Sequence, residues 1–205
     1  MKDLKSKAIN GVFWNSINNF AGLGVQFIVG IILARILSPR EFGLIGMLTI
    51  FIAISQTFID SGFTSALIRK KDCTQKDYST VFYFNLGIGI LAYTILFISA
   101  SGISNFFNQP QLEIILKVLG IGLVINALSI IQSTILTKEI NFKTQTKVTI
   151  IASLGSGSIA ITMAIYDYGI WSIVALTLGR YALNSMLLWG LSKWRPTLEF
   201  SKKSF

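Results

Sequence analysis

Residues 42–68 read FGLIGMLTIFIAISQTFIDSGFTSALI, and the basic triplet RKK follows at 69–71. Asp60 is the only charged side chain in that run. A bilayer core of about 30 Å needs about 20 apolar helical residues to cross it, so this stretch predicts a membrane span ending at a charged headgroup layer. Working outward, five more runs qualify: 12–37, 80–100, 112–137, 148–166 and 168–192. The pieces between them have 13 residues or fewer, too few for a domain outside the membrane. The composition agrees, with 52% hydrophobic and 13% charged residues and a mean hydropathy of +0.64. Soluble domains carry about twice that share of charge. The expected fold is all-α, a polytopic membrane protein whose residues 1–192 form one six-helix lobe.

Most chemistry is excluded by what is missing. The chain has no histidine, a single cysteine (Cys73) and nine scattered carboxylates. That inventory offers no imidazole acid/base, disulfide or metal cage. No Walker-type phosphate loop is present, and the glycine runs Gly120-Ile121-Gly122 and 155–158 lie inside apolar segments where packing explains them. Neither an enzyme nor a cofactor is expected. The net charge of +9 does not indicate nucleic acid, because the cations lie between apolar runs and face lipid.

Counting those cations sets the topology. The pieces 1–11, 69–79, 138–147 and 193–205 hold 14 of the 18 Lys and Arg, whereas 38–41, 101–111 and residue 167 hold only Arg40. By the positive-inside rule both termini are cytoplasmic. Lys2, Lys5 and Lys7 imitate the start of a signal peptide, but the next apolar run is too long and too rich in amides, and it reads as a retained helix. Asn108-Gln109-Pro110 and Tyr166-Asp167-Tyr168-Gly169 are turn signals. Phe106, Phe107, Tyr168, Trp171 and Trp194 stand where interface aromatics belong.

Hydrophilic groups inside the spans line up. At 100° per residue, Asn15, Asn19 and Gln26 share a face of the first span, Thr49, Gln56 and Asp60 of the second, and Thr177, Arg180 and Asn184 of the sixth. The third span has few polar groups, with Asn85 the main exception. Two readings compete: amides and small residues glue helices together, or the stripes border a hydrated cavity. Asp60 and Arg180 lie at depths that admit either an ion pair or a shared wet space. Arg35 and Lys117 sit near span ends, where long side chains snorkel.

The stretch Leu33-Ala34-Arg35-Ile36-Leu37-Ser38-Pro39-Arg40-Glu41-Phe42-Gly43-Leu44 resembles the first hairpin of bacterial Wzx-type polysaccharide flippases. The run Phe58-Ile59-Asp60-Ser61-Gly62-Phe63-Thr64-Ser65-Ala66-Leu67-Ile68 and the segment DCTQKDYSTVFYF at 72–84 resemble the segments that follow it. The resemblance covers essentially the whole chain and is most specific in the first eighty-odd residues. Those proteins form a branch of the multidrug/oligosaccharidyl-lipid/polysaccharide exporter superfamily.

The resemblance implies translocation of undecaprenyl-diphosphate-linked oligosaccharide across the inner membrane by two six-helix lobes rocking between inward- and outward-open states. Arg35 matches the family's hairpin arginine and Asp60 a common acidic or small position. The candidate substrate-cavity residues are therefore Asn15, Asn19, Gln26, Arg35, Gln56, Asp60, Arg180 and Asn184. The expected partners are lipid-linked oligosaccharide, the phospholipid bilayer and a second six-helix lobe, with 193–205 as a basic cytoplasmic linker toward that lobe. At 205 residues the chain is expected to be a fragment or half. A small-solute or drug exporter of the same superfamily, and a non-transporting scaffold in polysaccharide assembly, are the rival expectations.

Overall fold

The computed structural model describes residues 2–59, 63–70 and 72–197, with the side chains of 2–13, 15, 16, 18, 19 and 21 outside the description. The described chain is helical: α1 (Lys2–Ile36), α2 (Pro39–Ile59), α3 (Phe63–Arg69), α4 (Gln75–Phe106), α5 (Gln111–Ala127), α6 (Ile130–Lys138), α7 (Phe142–Ile165) and α8 (Ile170–Leu191). No strand occurs among the described residues.

Local chemistry sets several boundaries. Ser38 caps α2, Pro39 takes the first helical position, and the Glu41 carboxylate accepts from Ser38 N and Oγ at 2.7 and 2.9 Å. A full capping box joins Thr74 to Asp77 and starts α4 five residues before the expected span at 80. At its other end α4 runs on to Phe106, through residues expected in a loop. The run 112–137 is divided at Leu128 and Ser129 into α5 and α6, while within 42–68 the described residues form α2 up to Ile59 and α3 from Phe63. Three tight turns have residues at positive φ: Asn108 in the first, Ile140 in the second, and Asp167 with Gly169 in the third.

The helices pack in a definite order. α1 lies on α7, α7 on α8, α8 on α5 and α5 on α4, while α2 leans on α4 and α5 and touches α8. One apolar cluster joins α2, α4, α5 and α8 through Leu48, Leu96, Leu116, Leu123 and Val174. A second joins α1, α7 and α8 through Val29, Leu33, Leu37, Ala160 and Ile173. The α7 contacts run through small residues, as its sequence anticipates: a Cβ at Gly157 would meet Val29, and one at Gly155 would meet Leu183.

Outside these clusters the surface is an apolar belt, with Phe20, Phe27, Ile50, Phe58, Ile98 and Phe106 more than half exposed. Such a belt suits lipid and not water. Among the described residues, four helical stretches are long and apolar enough to cross a bilayer: Pro39–Ile59, Gln75–Phe106, Gln111–Lys138 and Phe142–Ile165. Helix α8 has 22 residues but carries Arg180 and Asn184, and the apolar part of α1 is the shorter Gly22–Ile36. The fold is that of an all-helical membrane protein.

Candidate substrate-facing site

Glycine contacts fix which way α8 is turned. Gly179 and Leu183 face α7, against Ser156 and Gly155, while Leu178 and Tyr181 face α5, against Gly122. Helix geometry leaves a third face, which holds Ile173, Thr177, Arg180 and Asn184. At its upper end Ile173 shares an apolar cluster with Val29 and Leu33 of α1 and with Leu37 just after it, and Ile45 of α2 joins the same cluster. On α2, Ile45, Thr49 and Gln56 share one flank at helical spacing. The two stripes therefore meet at an apolar plug beside Leu37 and run from it toward the basic end of the bundle, where Arg69, Lys70, Lys138 and Lys193 lie.

Depth follows from the same contacts. Gly22 meets Thr149 and Gly157 meets Val29, so Gln26 of α1 lies level with Ser153 of α7. Gly155 meets Leu183 and Ser156 meets Gly179 on α8, which puts Asn184 in that layer and Arg180 about one turn from it. Ser55 shares a groove with Ile88 and Ala92 of α4, Gly89 meets Ala127 and Gly120 meets Tyr93, so Gln56 falls near the layer of Tyr181. Gln26, Gln56 and Asn184 thus lie at similar depth on three different helices, with Arg180 about one turn away on the same stripe of α8.

Their side chains are half-buried, as is that of Asn184. The hydroxyls nearby satisfy themselves on their own helices: Thr49 donates to the Ile45 carbonyl at 2.9 Å and Thr177 to that of Ile173 at 3.1 Å. The amides and the guanidinium do not. Among the described residues, Gln26, Gln56, Arg180 and Asn184 make no side-chain hydrogen bond or ion pair, and the Gln56 Oε1 is buried without a partner. Arg180 lies 5.8 Å from the ring centre of its neighbour Tyr181. An unpartnered buried polar atom in an apolar setting costs about 1–3 kcal/mol.

Arg35 sits apart, exposed in the last turn of α1 beyond the plug. The side chains of Asn15 and Asn19, and Asp60 altogether, lie outside the described residues. Lys117, read as a snorkelling residue, is paired with Glu113 at 2.6 Å and lies 4.8 Å over Phe97. Trp194, read as an interface anchor, packs instead against Tyr78 and Phe82 of α4.

A second polar group went unread in the sequence. Trp189 Nε1 donates to the Leu128 carbonyl at 3.0 Å, where the α5–α6 break exposes it. Gln132, fully buried, completes the knot with its amide turned so that nitrogen donates to Leu128 O at 2.9 Å. One turn below the Gly89–Ala127 contact, Asn85 is 1% exposed and neither of its amide atoms has a partner. The available signal was an amide in each apolar run, Asn85 alone in 80–100 and Gln132 beside Asn126 in 112–137. Their common position depends on tertiary register.

At the basic end the segment after α8 folds back on α4. Arg195 donates to the carbonyls of Ser192, Trp194 and Trp189 at 2.6, 2.8 and 3.0 Å. Gln75 donates to Arg195 O at 2.6 Å, and Ser79 and Thr197 hydroxyls stand 3.1 Å apart. Lys138 donates to Leu67 and Lys70 carbonyls at 3.2 and 2.5 Å, closing the end of α3. Among the described residues no cluster of ligating side chains suits a metal ion.

The described chain is a membrane bundle in which three helices, α1, α2 and α8, carry half-buried amide or guanidinium side chains without hydrogen-bond partners. Comparison with known proteins is specific: residues 32–205 match the family model described as polysaccharide biosynthesis protein, and the chain belongs to that family. It is 28% identical over 206 residues to the teichuronic acid biosynthesis protein TuaB of Bacillus subtilis, covering 98% of this chain and 42% of that one. It is 25% identical to the lipopolysaccharide biosynthesis protein WzxC of Escherichia coli, over 98% of this chain and 41% of that one. Identity is again 25% with the succinoglycan biosynthesis transport protein ExoT of Rhizobium meliloti, over 93% and 38%. The chain thus spans about two fifths of the length of these relatives. No solved structure matches it.

Proposed function

We propose that the chain is one lobe of a flippase that carries lipid-linked oligosaccharide, of the undecaprenyl-diphosphate-linked kind, across the inner membrane for cell-surface polysaccharide. One observation carries the reading: the unsatisfied stripes of α1, α2 and α8 lie at similar depth inside an apolar bundle. Sugars and pyrophosphate cannot enter hydrocarbon, whereas half-buried amides and a guanidinium can replace their water. The relatives' names, which speak of polysaccharide biosynthesis and of transport, support the substrate class.

Counting α2 with α3 and α5 with α6, the bundle has six membrane-crossing units. The basic end is cytoplasmic and both termini lie there, which puts the apolar plug of Leu33, Leu37 and Ile173 on the outer side. The cleft is then closed outward, and its headgroup-binding residues are Gln26, Gln56, Arg180 and Asn184; Asn15, Asn19 and Asp60 join them on the strength of sequence spacing alone. Arg35 stands at the outer rim. A second six-helix lobe faces the cleft, as the greater length of the relatives supports, since alternating access needs two halves moving against each other.

The test is surface-polymer export in the producing cell, with Arg180→Ala placed in the chromosomal gene. The expected result is at least a tenfold loss of exported polymer at unchanged membrane abundance, with lipid-linked precursor accumulating inside. Wild-type export from the Arg180→Ala strain overturns the assignment.

A further inference from the structure

The end of the bundle beyond the plug carries a concavity of about 480 Å³ that the cleft does not account for. Three turns build it: that between α1 and α2, the start of α5, and that between α7 and α8. Its polar and aromatic walls are Arg40, Glu41, Gln111, Asp167, Tyr168 and Trp171.

These walls are held by their own turns. The Glu41 carboxylate is pinned by Ser38, and its other oxygen rests on Gly169, whose φ of +54° and lack of a side chain allow the approach. Arg40 Nη2 reaches Gln109 Oε1 at 3.5 Å. Asp167, at φ 58°, donates its N–H to the Ala164 carbonyl at 3.1 Å, and the Trp171 N–H to that of Tyr168 at 3.2 Å. The Trp171 ring also packs on the core cluster of Leu44 and Ile115. By contrast, the Asp167 carboxylate and the Gln111 amide make no side-chain hydrogen bond among the described residues.

We propose that this concavity is a docking site for neutral or amino-sugar saccharide units on the side where the glycan emerges. Sugars present apolar C–H faces, which stack on aromatic rings, and rows of hydroxyls, which pair with planar carboxylates and amides. The site offers both, on a preorganised frame that loses little freedom on binding. Its charge selects among sugars. Two carboxylates against one guanidinium give a net negative wall, which repels uronates and phosphates. The inference rests on the export reading above, because it assumes that glycan reaches this end.

The test uses the full chain in lipid nanodiscs and ligand-observed NMR saturation transfer, with maltotetraose, chitotetraose and tetragalacturonate as probes. Wild type is expected to transfer saturation to a neutral or amino-sugar tetramer at least fivefold more strongly than to the uronate. Tyr168→Ala and Asp167→Asn, both at exposed positions, reduce the transfer at least fivefold without altering the thermal midpoint. Asn tolerates the left-handed backbone of position 167, so that variant separates chemistry from folding. No transfer from wild type, transfer untouched by both variants, or equal transfer to the uronate each overturn the proposal, and Tyr168 and Trp171 are then bilayer anchors. If docking fails while Arg180→Ala still abolishes export, only the docking site falls.

Discussion

Two helical stretches of nearly equal apolarity have opposite surroundings. Over the most apolar window of each, 56% of residues are buried in Gln111–Lys138 and 22% in Pro39–Ile59. The first is an internal axle, gripped by α4 on one side and α8 on the other. The second gives most of its surface away, with Ile50, Ile54 and Phe58 exposed and the Thr49–Gln56 flank turned to the cleft. Hydropathy measures transfer out of water, and it does not distinguish lipid from protein as the destination. Contacts make that distinction.

The comparison breaks hardest at Gly122, where a Cβ would lie 2.9 Å from the Tyr181 ring and 3.1 Å from Leu178. Gly122→Val is expected to cost about 2–3 kcal/mol by overpacking and to lower the thermal midpoint in nanodiscs by several degrees. Asn85→Leu works the other way. Removing a buried amide with no partner is expected to raise stability by about 1–2 kcal/mol, read as a higher midpoint; a fall shows that the amide is satisfied. Gln56→Leu is expected to be neutral or stabilising by up to about 1 kcal/mol while polymer export drops, which separates cleft chemistry from folding. Gly46→Ala, on α2 where a Cβ meets nothing within 4 Å, is expected to shift stability by no more than about 0.5 kcal/mol.

Much of the architecture was legible in the letters. Long apolar runs declare helices in a bilayer whatever their partners, and small residues such as Gly155 and Gly157 declare close approach on α7. The breaks were not legible. Nothing at Leu128-Ser129 is a helix breaker. The interruption is held by Trp189, whose bond to Leu128 spans 61 positions of sequence. Caps at Ser38–Glu41 and Thr74–Asp77 were readable as three-residue spacings and went unused. Periodicity put Gln56 on one face of α2 and Arg180 and Asn184 on one face of α8, but their relative depth follows only from tertiary contacts such as Gly179–Ser156 and Gly22–Thr149. Arg35 fitted a motif, and it stands exposed in the last turn of α1, away from Gln26 and Gln56.

Helix α8 belongs to both large apolar clusters, through Val174 on one side and Ile173 on the other. It acts as a keystone: the α1–α7 pair cannot slide past the α2–α4–α5 group without tearing one of its seams. On the proposed flippase reading, any rocking of this lobe is a rigid-body displacement, and labels on α1 and α5 are expected to keep a constant separation through such a cycle.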